Sequence, residues 1–106
     1  MHPAIESKRK ETEEICRRRG VVRLEIFGSA ARGDDFDAEK SDADFLAAFK
    51  PDAGKPWMGE YMDLQTELES LPGRKVDLIS LSGFKEMRNR FRRRSIEEDR
   101  ELFYEA

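Results

Sequence analysis

Three short strand-patterned runs, separated by helix-patterned stretches, restrict what this chain can fold into more than any other feature. Val21 to Phe27 is rich in β-formers and sits between Gly20 and Gly28, a bounded strand signal. Asp42 to Phe49 alternates, placing Asp42, Asp44, Leu46 and Ala48 on one face and Ala43, Phe45, Ala47 and Phe49 on the other. Val76 to Leu81 is the third run. Strands interleaved with helices imply an α/β (α+β) architecture, a small mixed β-sheet flanked by helices.

The intervening segments supply the helices. Pro3 to Arg19 reads as one helix: Pro3 suits its first turn, Arg17, Arg18 and Arg19 favour its C-terminal end, and Gly20 caps it. Gly28-Ser29-Ala30-Ala31-Arg32-Gly33 permits a tight turn into a short helix, and Asp34 to Ser41 is a polar loop. Lys50 to Pro56 is a second loop. Trp57, Met58, Tyr61, Met62, Leu64, Leu68 and Leu71 recur at spacings of three and four, an amphipathic helix stopped by Pro72 and Gly73. Ser82 to about Arg94 is expected to be helical, with Phe84, Met87 and Phe91 on one face. Ser95 to Ala106 has two readings: Ser95 with Glu98 is a capping-box pattern, whereas Leu102-Phe103-Tyr104 could pair as an edge strand.

With 106 residues, one domain spanning 1–106 is expected. No apolar run approaches the ~20 residues of a membrane helix, and the polar N-terminus lacks a signal-peptide core. The lone Cys16 cannot close an intramolecular disulfide, and no Cys/His cluster offers a zinc site. A cytoplasmic setting is expected. Twenty Lys+Arg against 23 Asp+Glu leave a net charge of −3, which excludes binding of DNA through bulk positive charge. Placement says more than the total. Six acids and one base between Asp34 and Asp44 make a block of −5, and five arginines between Arg88 and Arg94 make a block of +5.

Asp42 and Asp44, two residues apart on a strand, project to the same face. Carboxylates held that close repel unless a cation lies between them, and Mg²⁺ is the hard ion that they and a nucleotide's phosphates would share. The apolar continuation from Phe45 to Phe49 pins the pair to a buried strand, and such rigidity suits a metal site. Gly28 lets backbone approach a phosphate, Ser29 adds a hydroxyl donor, and Arg32 adds a positive fork one turn later. Asp77 interrupts an apolar strand and, if buried, needs a partner. Arg74 or Lys75 could pair with it, or a metal shared with Asp42 and Asp44 could complete a two-metal triad.

Together, Phe27-Gly28-Ser29-Ala30-Ala31-Arg32-Gly33, Ser41-Asp42-Ala43-Asp44-Phe45-Leu46 and Gly73-Arg74-Lys75-Val76-Asp77-Leu78 resemble the minimal nucleotidyltransferase (MNT) family of the DNA polymerase β-like superfamily. The resemblance covers nearly the whole chain. It implies that Gly28 and Ser29 hold the triphosphate, with Arg32 near the phosphates. It also implies that Asp42 and Asp44 bind Mg²⁺, as two ions shared with Asp77 as the third carboxylate. Two departures stand out. The loop Asp34 to Lys40 is slightly longer and more acidic than the usual linker, and Ala43 is smaller than the usual branched residue.

The implied reaction is attack of an acceptor hydroxyl on the α-phosphorus of ATP with release of pyrophosphate. The resemblance further implies a partner with a HEPN domain, an RNase toxin whose tyrosine receives AMP, so that this chain is its antitoxin in a hetero-oligomer. Three alternatives remain beside it: transfer to a small molecule, neutralisation of the toxin by binding alone, and nucleotide binding without transfer. The run Arg88-Asn89-Arg90-Phe91-Arg92-Arg93-Arg94 reads as a solvated helix face, a docking surface for an acidic partner, or an RNA contact.

Overall fold

The computed structural model describes residues 3–33, 43–50, 58–71 and 75–106. Among these residues, four strands form one mixed sheet in the order β3-β2-β1-β4, with β1 Val21–Phe27, β2 Ala43–Phe49, β3 Val76–Ser80 and β4 Glu101–Glu105. β1 pairs antiparallel with β2 and with β4, and β2 pairs parallel with β3. A parallel pair needs a crossover, which α4 (Met58–Ser70) provides.

Helices cover both faces. On one, α1 (Pro3–Glu6), α2 (Arg9–Arg19), the single turn α3 (Ser29–Arg32) and α4 bury Ile5, Ile15, Cys16, Ala30, Leu64 and Leu68 against Leu24, Ile26, Phe45 and Val76. On the other, α5 (Leu81–Lys85) and α6 (Arg90–Asp99) bring Phe84 and Ile96 onto Phe27 and Leu46. The alternation of β2 therefore divides as the sequence implies: Ala43, Phe45 and Ala47 face the larger core, and Asp44 shares the face of Leu46. Among the described residues, no helix is long and apolar enough to cross a membrane.

Two expected helices are each divided. The N-terminal helix is two helices, parted at Ser7 and Lys8, where the Ser7 hydroxyl donates to the Ala4 carbonyl and Lys8 N–H closes on Ile5 rather than on Ala4. Such a local side-chain bond competes with the helical ladder. The expected helix from Ser82 to Arg94 is also two. The Asn89 side chain accepts from Arg92 N–H and so starts α6 afresh, and this leaves Phe91 89% exposed instead of beside Phe84. Asn89, not Ser95, is the cap. The last segment resolves in favour of the strand, with Phe103 and Tyr104 buried on β4. On α4, Leu64 and Leu68 are buried as expected, whereas Met62 points outward and is 61% exposed. Trp57, Pro72, Gly73 and the loops 34–41 and 51–56 lie outside the described residues.

Candidate active site

Register builds the site. Asp44 of β2 lies opposite Phe27 of β1 on one side and opposite Asp77 of β3 on the other. Residues paired across adjacent strands point to the same face, and such strands run about 4.8 Å apart. Phe27, Asp44 and Asp77 thus form a row across the sheet. The next row is Glu25, Leu46 and Ile79. The carboxylates occupy the rim of that face while Leu46 and Ile79 pack beneath α5 and α6. Ala43 N–H donates to the Lys75 carbonyl at 3.1 Å and locks the entry of β2 to β3. Ala43 itself is fully buried, its small side chain taken into the larger core.

Gly28 completes the row's flank. Its φ of 71° and ψ of −156° suit only glycine. A Cβ there would lie 2.7 Å from Asp44 Oδ2, so the absent side chain is what lets the carboxylate sit against the turn. The chain then enters α3, where the Ala31 and Arg32 amides both donate to the Gly28 carbonyl.

These groups line an open cleft of about 440 Å³ bounded by Phe27, Gly28, Ser29, Arg32, Asp44 and Asp77, with Arg92, Ser95, Ile96 and Asp99 as its far wall. Five of the six residues expected in the site therefore come together: Gly28, Ser29, Arg32, Asp44 and Asp77. Asp42 lies outside the described residues. Sequence reasoning missed the α6 wall. Positions 92, 95, 96 and 99 follow helical spacing, so one face of α6 carries all four. Among the described residues, ion pairs cross the cleft from Arg32 of α3 to Asp99 and from Arg92 to Asp77, the latter at 3.3 Å.

The Asp77 side chain is 47% exposed rather than buried, and its ion-pair partner among the described residues is Arg92, not Lys75. Arg74 is outside the described residues. Chemically, the cleft offers hard carboxylate oxygens on the sheet and guanidinium and hydroxyl donors on its walls. The first set fits a hard divalent cation and the second fits phosphate.

Residues 9–103 match the nucleotidyltransferase domain family. The chain belongs to that family. This nucleotidyltransferase is 39% identical over 79 residues to MJ1379 of Methanocaldococcus jannaschii, named as a candidate protein adenylyltransferase, covering 74% of this chain and 73% of the relative. It is 36% identical over 73 residues to the protein adenylyltransferase MntA of Thermococcus cleftensis, 69% of each. Among solved structures, a candidate minimal nucleotidyltransferase superposes with a TM-score of 0.68 at 29% identity, 95% of both chains being covered. The same fold recurs in a chain of the Shewanella oneidensis complex between a tri-AMPylated HEPN toxin and an MNT antitoxin. There the TM-score is 0.62 at 14% identity, over 95% of this nucleotidyltransferase and 72% of that chain.

Proposed function

We propose that this nucleotidyltransferase moves AMP from ATP to a tyrosine hydroxyl of a HEPN-domain RNase partner and so acts as that toxin's antitoxin. The observation that carries the reading is the in-register pairing of Asp44 with Asp77 beside Gly28 and Ser29. The name of the Thermococcus cleftensis relative supports AMP as the transferred group and protein as the acceptor, and the Shewanella oneidensis complex supports a HEPN partner. All of residues 1–106 then act as one minimal nucleotidyltransferase domain. The cytoplasm is its setting in this reading.

Asp42, Asp44 and Asp77 would hold Mg²⁺, as two ions. When bound, the cation supplies neutralisation of the polyphosphate and a lowered pKa for the acceptor hydroxyl. The protein's own groups do the rest. Gly28 admits the triphosphate to the backbone, the Ser29 hydroxyl donates to it, and Arg32 adds positive charge. The acceptor oxygen bonds to the α-phosphorus as the bond to the bridging oxygen breaks and pyrophosphate departs. Asp77, half exposed at the end of the row, would take the hydroxyl proton.

The test is the intact mass of a HEPN protein incubated with this chain, ATP and Mg²⁺. Gain of one or more AMP units is expected, and Asp44→Asn or Asp77→Asn should lower the rate at least ~100-fold while the fold is retained. An unmodified partner, or labelling that survives Asp44→Asn, overturns the reading.

A further inference from the structure

The arginine run from Arg88 to Arg94 is the sequence feature that the chemistry above leaves unused. α6 makes its members unequal. Arg93 and Arg94 lie 3.7 and 3.5 Å from Glu97 and Glu98 on their own helix. Arg92 instead leaves the helix for Asp77 and lines the cleft on the same face as Ser95 and Asp99. A guanidinium therefore sits on a carboxylate that, in the reading above, must hold a divalent cation.

The two compete for Asp77: positive charges drawn to one carboxylate repel each other, so a cation bound there weakens the hold of Arg92 on Oδ2. A cation that captures Asp77 leaves Arg92 on the wall of a cleft whose opposite side carries Ser29 and Arg32. Polyphosphate oxygens accept the same fork of N–H donors that the carboxylate does.

We propose that Arg92 is a nucleotide-binding residue that exchanges anions: it pairs with Asp77 in the metal-free cleft and with the polyphosphate once a divalent cation holds Asp77. The proposal rests on the nucleotidyltransferase reading of the cleft. It makes cation and nucleotide bind with positive coupling, because the cation releases the group that the nucleotide then uses, and that coupling is reciprocal.

The exchange predicts opposite effects from one substitution. Arg92→Ala removes a competitor for Asp77, so Mn²⁺ alone, followed by the loss of its free-ion electron paramagnetic resonance signal, should bind about 2- to 5-fold more tightly. The same variant should bind α,β-methylene-ATP with saturating Mn²⁺ at least ~10-fold more weakly, and AMP should be affected less. Arg92→Lys should fall between. Arg94→Ala, on a side chain 82% exposed beside Glu98, should change neither affinity. Thermal melting of each variant verifies the fold. A merely structural arginine would weaken both ligands, so Mn²⁺ affinity that falls or stays unchanged in Arg92→Ala overturns the proposal, as does an unchanged affinity for the analogue. A wild-type protein that binds neither Mn²⁺ nor the analogue overturns the nucleotidyltransferase reading itself, and the exchange with it.

Discussion

Arg100 grips the Glu25 carboxylate from two sides, Nε on Oε1 and Nη2 on Oε2, each at 2.7 Å. Arg23 adds a third bond at 3.0 Å, and Glu25 is only 3% exposed. Arg100 directly follows α6 and lies over the Phe84 ring, 5.0 Å from its centroid. This pair fastens the end of the helix that carries Arg92, Ser95 and Asp99 into the cleft. Glu25→Ala leaves Arg100 without its anion but still partly in water, so about 2–3 kcal/mol of stability should be lost. Urea unfolding measures it, and a loss below about 0.5 kcal/mol would show that the pair is incidental.

The same carboxylate predicts how stability varies with acid. The bonds from Arg100 hold its pKa below the ordinary glutamate value of 4.5, opposed by burial and helped by Arg23. A group whose pKa is lowered on folding contributes its stability above the unfolded value and loses it as the pH falls through the folded one. The stability gap between wild type and Glu25→Gln should therefore be constant above pH 4.5 and shrink below it. A gap that is flat down to about pH 3 would contradict the assignment.

Gly28 and Gly20 allow strain and site geometry to be separated. Both have φ above +70°, but a Cβ at Gly20 would meet nothing within 4 Å, whereas one at Gly28 would meet Asp44 Oδ2 at 2.7 Å. Gly20→Ala should cost about 1 kcal/mol and leave nucleotide affinity intact. Gly28→Ala should cost about 1–3 kcal/mol and also displace Asp44, lowering the affinity for ATP analogues. Equal affinities in the two variants would remove Gly28 from the site.

Burial pushes the Cys16 thiol up to about 12, with Glu13 adding and Arg17 opposing. At pH 8 the residue is a buried thiol rather than a thiolate, and iodoacetamide should label it only through unfolding. The check is the rate of mass gain with and without urea. Full labelling of the native protein within the time needed for the unfolded chain would refute it.

Much of this was legible from the residues. The strand Val21–Phe27 announces itself because its β-formers end at glycines that the turns require, and the face of Asp44 follows from alternation, its place at the rim from the apolar run that comes after it. Local pattern could not show which strands pair, and so could not place Asp44 opposite Asp77. Glu25 inside a strand resembles a solvent-facing residue until its partner, 75 positions away, is known. Arg92 was hidden differently, since in a run of five arginines residue type alone does not mark the one that reaches the cleft. One signal was available. Asn89 is a good helix cap, and starting the helix there puts 92, 95, 96 and 99 in a single stripe.

The strand order has a mechanical consequence. Asp44 stands on β2, which is hydrogen-bonded to a neighbour on each side, whereas Asp77 stands on β3, at the margin of the sheet. The pair is therefore a fixed post and a compliant one. Changes in spacing as a ligand arrives should be taken up at Asp77, while Asp44 keeps the frame of reference.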